Sequence, residues 1–210
     1  MCRAAILLLM VLAIELKAQA APGPDRASRT VFGVALGVGM MDFNGEPDVP
    51  TDFVVPIFMF GVERRLTSNF LLRGELLTQP VFIPLGTFSD GLFGGSASLL
   101  LPRWGTGVHL LRHFGSFVVV GVGATFMRPG ACDIDVAYFG DYTEPCHDFA
   151  YIRVTPVAVA RSGVATIQAT HEILSLSLRY DHGLSPVMTI DGNPVHTRSL
   201  SLVVGLQNRK

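Results

Sequence analysis

Four constellations of side chains in this 210-residue chain carry types that do chemistry. The first is a set of alternating charges: Glu63, Arg73, Glu75, Arg103, Arg153, Arg179 and Asp181. Carboxylates within reach of guanidinium groups form either an acid–base site or a structural ion-pair network, and both perturb their members in the same way. The second is His182 with Ser185 and His196 with Ser199. A hydrolase needs serine, histidine and an acid in hydrogen-bond reach, and neither pair sits in a nucleophile-elbow sequence. The third is Cys132 and Cys146. The fourth is acidic: Asp42, Glu46, Asp48 and Asp52, then Asp133, Asp135, Asp141, Glu144 and Asp148. Clustered carboxylates suit Ca²⁺, but no EF-hand spacing is present, so a solvated acidic surface is the simpler reading and no metal or cofactor is expected.

The segments that must position these residues are unusually apolar. Hydrophobic residues make up 49% of the chain, charged residues only 16%, and the mean hydropathy is +0.43. Soluble domains average about 25% charged residues. Yet the longest unbroken apolar run is Ala4–Ile14, and a membrane-spanning helix needs about 20 apolar residues. A polytopic helical membrane protein is excluded. The 22 glycines and 13 prolines argue against a helical bundle.

Residues 1–20 have the order of a secretory signal: Arg3, the apolar run, then Ala18-Gln19-Ala20. Cleavage is expected after Ala20, leaving 21–29 as a short exported lead-in and 30–210 as one domain. Cys2 leaves with the signal. Cys132 and Cys146 remain as an even pair in an oxidising compartment, which predicts a disulfide. Arg3, Glu15 and Lys17 are lost as well, and the mature net charge is about −2. No basic patch of the kind nucleic acid requires is present.

From residue 30 onward the apolar period is two. Phe32, Val34, Leu36, Val38 and Met40 share one face, and Gly33, Ala35, Gly37 and Gly39 the other. Leu174, Leu176, Leu178 and Tyr180 oppose Ser175, Ser177, Arg179 and Asp181. The same alternation predicts eight strands: Thr30–Met41, Phe53–Arg65, Phe70–Gln79, Ser96–Leu111, Ser116–Met127, Tyr151–Gln168, Ile173–Gly183 and Arg198–Leu206. Long polar stretches (Asp42–Asp52, Pro80–Gly95, Arg128–Ala150, Leu184–Thr197) alternate with short turns. That asymmetry describes an all-β, eight-stranded, antiparallel up-and-down transmembrane β-barrel. Lipid cannot satisfy an open sheet edge, so the sheet must close. Pro56, Pro102 and Pro156 fall inside predicted strands and call for bulges or strand ends. A bulge at Arg161-Ser162-Gly163 would let Arg161, Thr166 and Gln168 all face inward.

The order of segments resembles the small outer-membrane β-barrel family of Gram-negative bacteria called PorT-like, or the outer-membrane-protein β-barrel domain. The resemblance lies in LLRGELL (Leu71–Leu77), SLLLPRW (Ser98–Trp104), VVVGVGA (Val118–Ala124), LSLRYDHGLSPV (Leu176–Val187) and SLSLVVGL (Ser199–Leu206). It implies an eight-stranded barrel in the bacterial outer membrane, in contact with its lipid and with the barrel-assembly machinery. Members commonly end in an aromatic residue, where this chain runs on through Gln207-Asn208-Arg209-Lys210.

On this reading the seven alternating charges face the barrel interior as a structural plug, because an unpaired charge there costs several kcal/mol, of the order of that for any buried ion. His109, His113 and His171, with Arg64, Arg65 and Arg112, are expected on the short-turn rim. The expected role is structural or loop-mediated binding without catalysis. Two alternatives stand: a lipid-modifying enzyme, lipid A deacylase-like, using His182 or His196, and a secreted soluble barrel holding a small apolar ligand.

Overall fold

The computed structural model describes residues 30–44, 53–89, 94–137, 141–148 and 152–208. The signal and lead-in expected at 1–29, and Glu46, Asp48 and Asp52, lie outside them. Fourteen strands are present among the described residues: β1 (Thr30–Asn44), β2 (Phe53–Arg65), β3 (Phe70–Thr78), β4 (Val81–Ser89), β5 (Gly94–Leu101), β6 (Arg103–Phe114), β7 (Val118–Pro129), β8 (Asp133–Ala137), β9 (Asp141–Pro145), β10 (Val154–Pro156), β11 (Ala160–His171), β12 (Leu174–Gly183), β13 (Met188–Ile190) and β14 (Asn193–Gln207).

Eight of them close a barrel. Each of β1, β2, β3, β6, β7, β11, β12 and β14 pairs antiparallel with the next, and β14 pairs back with β1. A row of ladder partners that starts at Asp42 passes through Arg198, His182, Gly163, Ala124, Val108, Gly74 and Val62. It returns to β1 at Phe32, ten residues lower on the same strand. That stagger tilts the strands by about 40°, inside the usual range for closed barrels. An eight-stranded barrel has an interior just wide enough for side chains to fill.

The short turns fall where the sequence places them. Thr67 Oγ1 accepts the backbone N–H groups of Asn69 (3.3 Å) and Phe70 (3.1 Å) at the β2–β3 turn. Gly115, at φ 70°, makes the β6–β7 turn.

Three of the four stretches expected to be polar loops carry strands, and most of the fourth, Asp42–Asp52, lies outside the described residues. β4 lies in Pro80–Gly95, β8 and β9 in Arg128–Ala150, and β13 with the start of β14 in Leu184–Thr197. β4, β5, β8 and β9 form a second, four-stranded sheet, while β13 and β10 extend the barrel sheet from the upper part of β14. The β13–β14 hairpin turns on Asp191-Gly192, both at positive φ (48° and 86°). A two-residue type I′ turn demands that pair of dihedrals, and Asp-Gly supplies it.

Two of the prolines mark ends: Pro102 separates β5 from β6 and Pro156 ends β10. Pro56 does not; it lies inside β2, paired with Val38 in an unbroken β1–β2 register, on the stretch of β2 beyond the β2–β3 ladder that starts at Phe58 and Thr78. The bulge anticipated at Arg161-Ser162-Gly163 is absent. β11 pairs in unbroken register with β7 from Ala160 to Ala169, so Thr166 and Gln168 face inward while Arg161 is exposed. The segment Tyr151–Gln168, read as one strand, is instead β10 and β11 with an irregular joint between them.

Candidate functional site

The outward positions of the barrel strands are large and apolar. Leu36, Val38, Phe58, Leu76, Val108, Val122, Leu176, Leu202 and Val204 are all exposed. A face of this size has no counterpart on ordinary soluble monomers. The inward positions on the same strands are buried and polar: Glu63, Glu75, His109, Thr166, Gln168, Ser175, Ser177, Arg179, Ser199 and Ser201.

Inside, two networks form. In one, Arg73 donates through Nε to Glu63 Oε1 at 2.9 Å, and its Nη2 pairs with both Glu63 and Gln168. Gln168 also accepts from Ser177 (3.3 Å) and donates to Thr170 (3.0 Å), while Gln207 donates to Glu63 (3.1 Å). In the other, Arg179 forks onto Asp181, with Nε to Oδ2 at 2.7 Å and Nη2 to Oδ1 at 3.0 Å. Its Nη1 pairs with Glu75. His109 Nε2 stands 2.8 Å from the same Glu75 oxygen. The planar fork of arginine suits such shared, bidentate pairing.

Close approach of the backbone makes room for these long side chains. A Cβ at Gly123 would come within 2.4 Å of both His109 Nδ1 and Val108 O, and one at Gly107 within 2.7 Å of Glu75 Oε1. Glycine at these two positions is a packing requirement of the network.

Six of the seven charges read as interior lie there: Glu63, Arg73, Glu75, Arg103, Arg179 and Asp181. Arg153 does not. It is exposed ahead of β10, where its backbone N–H donates to Asp191 Oδ1 at 2.8 Å. Without it, three arginines face three carboxylates. Its position followed from reading Tyr151–Gln168 as one barrel strand. His109, placed on the rim in the sequence reading, is a buried interior member at 2% exposure. Its odd-numbered parity with Arg103 and Leu111 was the signal. Gln168 and Gln207 are further members, visible only through their partners.

Above the polar zone the interior turns apolar without a change of parity. Met41 and Phe43 in β1, Val55 in β2, Leu77 in β3, Val81 and Ile83 in β4, and Leu99 and Leu101 in β5 form one buried core. Ile134, Val136, Val154, Met188, Ile190 and Val195 complete it from the upper sheet strands. Arg103, hydrogen-bonded to Gln79 at 3.2 Å, stands at the boundary. Cys132 and Cys146 are joined by a disulfide that clips β8 to β9, with Cα atoms 5.4 Å apart. A cavity of about 40 Å³, lined by Glu63, Arg73, Glu75, Ser175 and Gln207 among others, lies in the short-turn half. That is room for only a few water molecules.

The serine–histidine pairs are not brought into catalytic contact. His196 and Ser199 have opposite parity on β14, with Ser199 buried inside. His182 is on the outer face, stacked near Tyr180 with ring centroids 6.4 Å apart, and Ser185 Oγ accepts the Arg161 backbone N–H at 2.9 Å. Arg112 is exposed, with its guanidinium over the rings of Phe70 and Phe114 (5.8 and 5.2 Å). Of the acidic residues, Asp135 accepts the Thr143 hydroxyl at 2.7 Å. No group of three His, Cys, Asp or Glu among the described residues is arranged to hold a metal ion.

Fold and interior together define a closed, eight-stranded antiparallel β-barrel with an apolar outer surface, a charged core and a sheet-built cap. No family model matches the chain, and no curated protein matches it in sequence. Among solved structures it is similar to Ail, the attachment invasion locus protein of Yersinia pestis, at 8% identity over 86% of this chain and 98% of that chain, with a TM-score of 0.48. It is also similar to Neisserial surface protein A, at 10% identity over 83% of this chain and 96% of that one, with a TM-score of 0.49.

Proposed function

We propose that this is an integral β-barrel protein of the bacterial outer membrane, exported by its N-terminal segment and of the PorT-like kind. Its role is structural or loop-mediated binding rather than catalysis or conduction. One observation carries the membrane placement: all eight barrel strands present large exposed apolar side chains outward, around a buried polar interior. Water would reverse that arrangement, and lipid requires it. The same fact disfavours a secreted soluble barrel with an apolar ligand, because the mid-barrel interior is lined by charges. A filled interior under an apolar cap disfavours conduction. The binding surface in this reading is the cap, where a disulfide-clipped sheet holds its outer face rigid; function concentrates on segments held by such scaffolds.

Partners in this reading are outer-membrane lipid throughout the life of the protein and the barrel-assembly machinery during insertion. Alkaline carbonate washing of membranes tests the placement, together with gel mobility of unboiled against boiled protein. Retention in the pellet and a heat-dependent mobility shift are expected. Release into the soluble fraction would overturn it.

A further inference from the structure

We infer that the outer face of β7, β11, β12 and β14 carries a binding patch for the phosphate groups of anionic lipid, at the capped rim of the barrel. The inference rests on the membrane placement proposed above. Because the ladder row drops ten residues in one circuit, each step from strand to strand descends by slightly more than one residue. Corrected for that slope, Arg128 in β7, Arg161 in β11, His182 in β12 and Arg198 in β14 stand at one height, to within about two residues. All four are exposed and on outward parity. They occupy four consecutive strands of the closed sheet.

The other half of the circumference is different. At the same height β1 presents Met40 and Asp42, β2 Val54 and Pro56, β3 Thr78 and β6 Trp104. Asp42 is the ladder partner of Arg198 and bounds the patch on one side. Trp104, the partner of Arg128, bounds it on the other. The three arginines and His182 are therefore not part of a uniform rim.

Directly below them lie exposed Phe126, Tyr180, Leu200 and Leu202. The arginines stand at the upper edge of this apolar band, at the depth of headgroups. Arginine forks bind phosphate oxygens in pairs, and basic residues beside an anionic leaflet each strengthen attraction to it. Arg161 is fixed in place: its backbone N–H donates to Ser185 Oγ at 2.9 Å and its carbonyl accepts from Leu184 N at 2.8 Å. At the other end of the barrel the exposed arginines Arg64 and Arg112 sit on β2 and β6, and Arg112 lies over its own aromatic neighbours.

Trp104 is the single tryptophan of the chain and is 56% exposed, so its fluorescence reports from the patch edge. The folded protein is reconstituted in phosphatidylcholine vesicles. These contain equal amounts of either phosphatidylcholine or phosphatidic acid brominated near the head of its chains. Phosphatidic acid should quench Trp104 more, corresponding to roughly fivefold local enrichment. The triple variant R128Q/R161Q/R198Q should lose the preference, and R64Q/R112Q should keep it. Millimolar inorganic phosphate should leave it intact; competition would show that the patch takes the free anion and would overturn a lipid ligand. Equal quenching of the native protein by the two lipids, or preference retained in the triple variant, overturns the patch while leaving the membrane placement standing. Absence of quenching by either lipid overturns that placement itself. The native-protein comparison holds even where the triple variant fails to fold.

Discussion

The barrel wall and its cap are built from the same alternating strands with opposite solvents. In the wall, Leu176, Leu202 and Val204 look out while Ser177, Ser201 and Arg179 look in. In the cap, Ile83, Leu99 and Ile134 are fully buried inside, while Thr87, Ser96, Asp135 and Thr143 are exposed. Strand β1 passes from one regime to the other without slipping: Gly37 and Gly39 give way to Met41 and Phe43 on the same inward face. Parity is thus a property of the pleat, and what occupies each face is set by the medium at that height. A protein core can be assembled on the inner face of a barrel whose lower inner face is largely polar and ionic, with a small apolar cluster of Leu71, Leu111 and Val119 at the short-turn end.

The comparison breaks most visibly at Arg179. Arg179→Met should destabilise the barrel by about 3–5 kcal/mol, because Glu75 and Asp181 are left as buried charges without their shared partner. The drop would appear as a lower temperature for the gel mobility shift. A change below about 1 kcal/mol would mean the interior is solvated rather than a network.

A matched pair of truncations sharpens the contrast. Leu99→Ala in the cap should cost about 2–5 kcal/mol through lost transfer energy plus a cavity. It should open the β4–β5 region to protease while the wall stays protected. Leu202→Ala in the wall removes the same atoms but leaves no cavity, since lipid fills the space, and should cost about 1–2 kcal/mol. Equal costs would mean that both leucines are packed against protein. Between these two falls Cys132→Ser with Cys146→Ser, expected to cost about 3 kcal/mol and confined to the cap. Hydrogen exchange would place that loss in β8 and β9 and leave β12 and β14 unchanged. The smallest effect belongs to Thr143→Ala on the exposed face of β9, within about 0.5 kcal/mol.

Much of the wall was legible in the residues alone. Strand β2 has the bounds its alternation predicts, and β3 and β12 differ from theirs by one residue at one end. The cap was not. Val81, Ile83, Ile134 and Val136 alternate as cleanly as the wall strands, but in runs of five to nine residues among Asp, Gly and Pro, and such short runs read as loops. The site was legible by face and not by contact. Glu75 was identifiable as inward, but its pairing with an arginine 104 residues away and with His109 was not.

The residues by themselves determined the period, the closure that lipid demands and the outward apolar surface. Each strand meets lipid independently, and a uniform solvent leaves its mark on local composition. Only the tertiary structure decided that stretches expected as loops fold into a capping sheet, that Arg153 stays outside and that Arg73 and Arg179 share three carboxylates within while Arg103 meets Gln79. Those outcomes depend on the ten-residue stagger, which sets opposite walls at matching heights, and the stagger is a sum over all eight ladders that no single strand encodes.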